Sequence, residues 1–118
     1  MSSVEQANFI ANSLGPKLKN AGINTKIIAY DHNLDDVSYP SEVTSRAKNF
    51  VAGAGFHHYV GTEDALLNYK SSSDCYDKDI WMTENSFGTW MGDDNAQFQA
   101  QMKRLILTSR YWSKGTLL

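Results

Sequence analysis

Residues 79–85 read Asp79-Ile80-Trp81-Met82-Thr83-Glu84-Asn85, an apolar run that turns polar at its end. A short apolar run of this kind is typical of a buried strand in a parallel sheet. Two earlier stretches have the same design: residues 26–30 run into Asp31-His32-Asn33, and residues 52–56 run into His57-His58-Tyr59. The sequence therefore predicts three strands that each carry polar side chains at the carboxyl end.

Segments with the helical spacing of apolar residues separate these strands. They cover residues 4–21, 41–50, 62–69 and about 93–112, and a fourth strand begins at Thr116. The order α-β-α-β-α-β-α-β favours an α/β fold with a parallel sheet and crossover helices. Periodicity alone does not distinguish an open sheet from a barrel. No glycine-rich phosphate loop follows a strand, however, which argues against a nucleotide-binding open sheet.

Two of the predicted helices carry further local signals. In the first helix, Ser3 and Gln6 have the spacing of a capping box, and Gly15-Pro16 predicts a kink or an early break. The spacing of the last helix predicts an inner face made of Phe98, Met102, Leu105, Ile106, Ser109 and Trp112.

Composition restricts the class of protein. The chain has 118 residues, 42% of them hydrophobic, which indicates a globular protein. A net charge of −2 gives no reason to expect nucleic acid or an anionic membrane as a partner. No apolar run approaches the roughly 18 residues of a membrane span, and the first residues lack the basic and apolar regions of a signal peptide. The single cysteine, Cys75, excludes an internal disulfide.

The polar strand ends predict an active site, because functional groups of α/β folds gather at the carboxyl ends of the strands. Two chemistries suit the set. Asp31, His57, His58 and Glu84 could ligate a divalent metal ion. Alternatively, Glu84 could attack the anomeric carbon of a sugar, with Asp31, His57 and Tyr59 holding substrate hydroxyls. Neighbouring residues on a strand point to opposite faces, so His57 and His58 cannot share a metal site without a bulge.

Aromatic residues near Glu84 favour the sugar hypothesis, since glycosidases stack aromatic rings on sugars. Trp81, Phe87 and Trp90 lie within a few positions of Glu84. We expect Trp81 to belong to the core and Trp90 to contact substrate.

Five short sequence motifs together resemble glycoside hydrolase family 30, whose members include glucosylceramidases and β-1,6-glucanases. In chain order the motifs are Leu14-Gly15-Pro16, Lys26-Ile27-Ile28-Ala29-Tyr30-Asp31-His32-Asn33, Phe56-His57-His58-Tyr59, Ile80-Trp81-Met82-Thr83-Glu84 and Tyr111-Trp112-Ser113-Lys114. The resemblance spans essentially the whole chain. It implies a (β/α)8 barrel, with a β-sandwich beside it, that hydrolyses β-glycosidic bonds with retention and without a metal or other cofactor.

The resemblance also implies roles for individual residues. Glu84 corresponds to the nucleophile that ends the seventh strand. His57 and Tyr59 end the sixth strand, and Tyr59 is expected to hydrogen-bond the nucleophile. Asp31 corresponds to the fifth-strand aspartate in the sugar pocket. His58 stands where many members have Cys or Trp, and Asn85 and Ser86 also depart from the family pattern, so sugar and linkage stay open.

The family's acid/base glutamate lies in an Asn-Glu-Pro motif that this sequence does not contain. We therefore expect residues 1–118 to be a fragment of a glycosidase barrel domain, from about the fourth helix to the start of the eighth strand. Such a fragment is expected to self-associate and to be inactive alone. The resemblance implies a carbohydrate or glycolipid substrate and a secreted or lysosomal location. The alternatives are a metal-dependent barrel hydrolase and a non-catalytic truncated relative.

Overall fold

The computed structural model describes residues 1–88, 90 and 92–117. Its four strands, all parallel, are β1 (Ile27–Leu34), β2 (Val51–Gly61), β3 (Asp79–Glu84) and β4 (Ser113–Thr116). They lie side by side in chain order, β1-β2-β3-β4. The predicted α/β fold with a parallel sheet is confirmed.

The helices precede and connect the strands. They are α1 (Ser3–Phe9), α2 (Gly15–Asn20), α3 (Ser38–Arg46), α4 (Asp64–Ser71) and α5 (Asp94–Arg110), and a π-helical turn, Ile10–Leu14, joins α1 to α2. Within the described residues, no helix has the length and apolar character that a membrane span requires.

The first helical segment differs in two details from the prediction. Its capping box is formed one residue earlier, by Ser2 and Glu5: the Ser2 hydroxyl accepts from the Glu5 amide at 3.2 Å, and the Glu5 carboxylate accepts from the Ser2 amide at 2.7 Å. The helix is not broken at Pro16, because the π-helical turn lies before it and Pro16 falls in the first turn of α2. Gly15 is required because a Cβ there would lie 2.3 Å from Cγ of Phe50.

Side chains of the central strands alternate between a face that packs in the core and a face that carries polar groups. Phe56 of β2 and Ile80 and Met82 of β3 are fully buried, and they pack in one cluster with Leu66 and Tyr69 of α4. The residues between them point to the other face, where a Cβ on Gly55 would lie 3.0 Å from the Thr83 hydroxyl and 3.2 Å from Asp31 Oδ1. The small glycine therefore leaves room for polar side chains on that face.

Strand β1 is irregular where its apolar run ends. Tyr30 and Asp31 have positive φ angles of 74° and 63°, and the pairing with β2 passes from Tyr30 directly to His32. A bulge of this kind re-aims a side chain. It takes Asp31 out of the ladder and turns its carboxylate toward β2 and β3.

The predicted inner face of α5 is wrong for most of its residues. Phe98, Met102 and Ile106 are 61%, 41% and 58% exposed and Leu105 is half-buried, whereas Gln101 and Thr108 are buried. Gln101 and Thr108 lie on one stripe of the helix surface. This stripe is rotated by about one residue position from the stripe of apolar residues. Gln101 is turned inward because it hydrogen-bonds Asn85 at the end of β3.

Candidate active site

Three polar side chains from three neighbouring strands meet at the carboxyl end of the sheet. His57 of β2 lies in the middle: its Nε2 is 3.1 Å from Asp31 Oδ1, and its Nδ1 is 3.0 Å from Glu84 Oε2. The side chain of His57 is only 13% exposed, while those of Asp31 and Glu84 are 63% and 55% exposed. The imidazole is thus held between two carboxylates that face solvent, and when doubly protonated it can donate to both.

Thr83 completes this group and was not identified from the sequence. Its hydroxyl donates to Asp31 Oδ1 at 2.5 Å. That hydrogen bond lowers the pKa of Asp31, and His57 adds to the lowering, although partial burial acts in the opposite direction. Asp31 is therefore held as a carboxylate over the neutral pH range.

A bulge in β3 explains why both Thr83 and Glu84 reach the site. Phe56 pairs with Met82, but the next residue of β2, His57, pairs with Glu84, so Thr83 has no direct partner on β2. Two consecutive residues of a regular strand would point to opposite faces. The bulge removes that restriction.

Tyr59 lies beside His57, with the two ring centroids 6.1 Å apart. Its hydroxyl shares a hydrogen bond of 3.1 Å with Ser86 Oγ, whereas the resemblance implied a hydrogen bond to Glu84. The residue of β2 that pairs with Glu84 is His57, two positions before Tyr59. Ser86 also was not identified from the sequence.

The aromatic residues around Glu84 differ in exposure. Trp90 is 76% exposed, and its ring lies against Gly88, where a Cβ would come within 2.2 Å. The structure thus gives Trp90 a contact with the loop at Gly88. Phe87 is 41% exposed. Trp81, expected to belong to the core, is half-buried near Gly115, on the face of β3 opposite the buried Ile80 and Met82.

His58 points away from the site, as strand alternation predicts. It is 5% exposed, and its Nδ1 is 3.8 Å from Glu63 Oε1 next to α4. A metal site built from His57, His58 and Asp31 would need His58 on the other side of the strand. Among the described residues, no group of three or more histidine, cysteine and acidic side chains is arranged to hold a metal ion.

Burial lowers the pKa of His58, and the positive charge of nearby Arg104 adds to the lowering. Below the unfolded-state pKa of about 6.5, the unfolded chain then binds more protons than the folded one. We expect the melting temperature to fall as the pH drops from about 7 to 5, and to fall less in His58→Gln. Thermal unfolding across this pH range measures the effect, and equal slopes for the wild type and His58→Gln would contradict it.

No protein-family model matches the chain, but three curated proteins do. The endo-1,6-β-D-glucanase of Neurospora crassa is 50% identical over 60 residues, which cover 51% of this chain and 12% of that protein. The endo-1,6-β-D-glucanase BGN16.3 of Trichoderma harzianum is 38% identical over 95 residues, which cover 76% of this chain and 19% of that protein. The third is an endo-1,6-β-D-glucanase of Aspergillus fumigatus, 43% identical over 60 residues, or 51% of this chain and 12% of that protein.

These homologues are endo-1,6-β-glucanases. Among solved structures, the endo-β-1,6-glucanase BT3312 superposes with a TM-score of 0.87 at 33% identity, over 98% of this chain and 27% of that one. The chain thus spans between 12% and 19% of the length of the curated relatives. The similarity supports a glycoside hydrolase.

Proposed function

We propose that these 118 residues form the nucleophile-bearing part of a retaining β-1,6-glucanase, with Glu84 as the nucleophile. The observation that carries the proposal is the position of Glu84. It ends a parallel strand, faces solvent and lies 3.0 Å from His57, in a segment that superposes on a glucanase with a TM-score of 0.87.

The proposed architecture is part of a (β/α)8 barrel, from about the fourth helix to the eighth strand. Four parallel strands in strictly sequential order support it, because an open doubly wound sheet reverses its strand order at a switch point, whereas a barrel does not. The site lies at the carboxyl ends of the strands, which is where barrel enzymes carry their chemistry.

In the proposed reaction, a Glu84 oxygen attacks the anomeric carbon while the bond from that carbon to the leaving oxygen breaks. A carboxylic acid protonates the leaving oxygen, and water later hydrolyses the glycosyl-enzyme ester with the same group acting as base. His57 fixes Oε2 of Glu84, which leaves the other carboxylate oxygen for attack. This two-carboxyl mechanism requires no cofactor.

The second carboxyl group has to lie about 5–5.5 Å from the nucleophile in a retaining enzyme. Asp31 is the described carboxylate joined to Glu84 through His57, but its lowered pKa makes it a poor proton donor. We therefore assign Asp31 to orienting His57 and binding sugar hydroxyls. The acid/base is proposed to come from outside these 118 residues.

The remaining polar and aromatic groups are proposed to bind the glucan. Tyr59, with Ser86, extends the site outward beyond Glu84, and the exposed ring of Trp90 offers a stacking surface for a sugar. β-1,6-Glucan is the proposed substrate because the relatives named above are β-1,6-glucanases. A secreted location is proposed on the same resemblance.

Hydrolysis and covalent labelling by the complete protein that carries this sequence test the proposal. We expect cleavage of β-1,6-glucan with retention, followed by NMR of the first-formed anomer, and little cleavage of β-1,3-glucan. A 2-deoxy-2-fluoro-glucoside with a good leaving group should label Glu84, which peptide mass spectrometry can locate. An inverted product, or a label on another carboxylate, would contradict the assignment.

A further inference from the structure

Three buried polar side chains lie directly behind the candidate active site. His58, Asn85 and Gln101 are 5%, 4% and 3% exposed. His58 follows His57 on β2, and Asn85 follows Glu84 at the end of β3, so each of the two site residues has a polar neighbour that points to the opposite side. Gln101 belongs to α5, which covers that side.

One hydrogen bond joins β3 to α5 through this group. The Asn85 side-chain amide donates to Gln101 Oε1. Among the described residues, the other polar atoms of the pair, Asn85 Oδ1 and Gln101 Nε2, are buried without a hydrogen-bond partner, as is Nε2 of His58. An unpartnered buried polar group destabilises the folded state, and an apolar pair of the same shape would not. Core stability alone therefore does not account for an amide pair here.

The hydrogen bond of Asn85 lies next to Glu84 in the chain. Glu84 is the last residue of β3 and is paired with His57 on β2. The backbone of Glu84 is thus held to β2, and the hydrogen bond of Asn85 holds the next residue to α5.

We propose that Asn85 is a positioning residue for Glu84: through Gln101 it ties the end of β3 to α5 and fixes the Glu84 carboxylate against His57. This inference rests on the proposed role of Glu84 as nucleophile. Asn85 touches no substrate, because its side chain is buried on the helical side. Its loss is therefore expected to slow the chemical steps without weakening substrate binding.

The test uses Asn85→Leu/Gln101→Met in the complete protein, because two apolar side chains of similar shape preserve packing while removing the hydrogen bond. We expect an unchanged or higher melting temperature and a kcat for β-1,6-glucan lower by roughly 10- to 100-fold, the effect of a small misplacement of a reacting group. KM should stay within about twofold of the wild-type value, since the two substitutions remove no contact with the bound substrate. The rate of Glu84 labelling by the fluoro-sugar should fall with kcat.

Two further variants separate positioning from general damage. Asn85→Gln/Gln101→Asn moves one methylene across the pair and keeps its total length, so it should recover most of the lost kcat. Asn68→Ala, which removes an exposed amide of α4, should leave kcat and KM unchanged.

Wild-type kcat in Asn85→Leu/Gln101→Met, or a loss confined to KM, would overturn the inference while leaving the proposed function intact. If the unmodified protein is not labelled at Glu84, the proposed function and this inference both fail.

Discussion

Glu84→Gln in the complete protein is expected to abolish hydrolysis of β-1,6-glucan, with kcat reduced on the order of 10⁴- to 10⁶-fold, as for other enzymes that lose their nucleophile. The neutral amide has the shape of the carboxylate but does not form the glycosyl ester. Glu84 is exposed and contacts His57 through one carboxylate oxygen, so the melting temperature should change little.

Two controls make this result specific. Asp64→Asn removes an exposed carboxylate in the first turn of α4 and should keep wild-type turnover. Glu84→Gly with azide should regain cleavage, because azide can attack the anomeric carbon in the space left by the side chain, with a glycosyl azide of inverted configuration as the product. Near-normal turnover of Glu84→Gln would show that another group is the nucleophile.

The 118-residue chain expressed alone is expected to show no glucanase activity and to self-associate. Within the described residues, β1 and β4 each pair with a neighbour on one side only, and unpaired strand edges recruit other chains. The exposed apolar stripe of Phe98, Met102 and Ile106 on α5 adds a second surface that avoids water.

Sedimentation velocity over a range of concentrations measures the association, and an assay on β-1,6-glucan measures the activity. The proposed acid/base lies outside these residues, so adding Glu84→Gln should change nothing in the assay. A stable monomer that hydrolyses the glucan would overturn both the assignment of the acid and the expectation for the strand edges.

The three apolar runs with polar ends were sufficient to predict the parallel α/β sheet. Strands buried on both faces have continuous apolar runs, and the crossover helices between them have the helical spacing of apolar residues. The burial of His58 on the side opposite His57 also follows from strand alternation. The face of α5 did not follow. The apolar residues of α5 predict that their own stripe faces the sheet. The Asn85–Gln101 hydrogen bond instead turns the stripe that contains Gln101 toward the sheet.

By itself, then, the sequence determined the order of the elements and the strand ends at which Asp31, His57, Tyr59 and Glu84 lie, since these depend on local periodicity. Only the tertiary structure decided which of these groups touch. The positive φ angles in β1 re-aim Asp31, and the bulge at Thr83 lets Thr83 reach Asp31 while Glu84 reaches the His57 imidazole. Bulges arise from pairing between distant strands, which local periodicity does not encode.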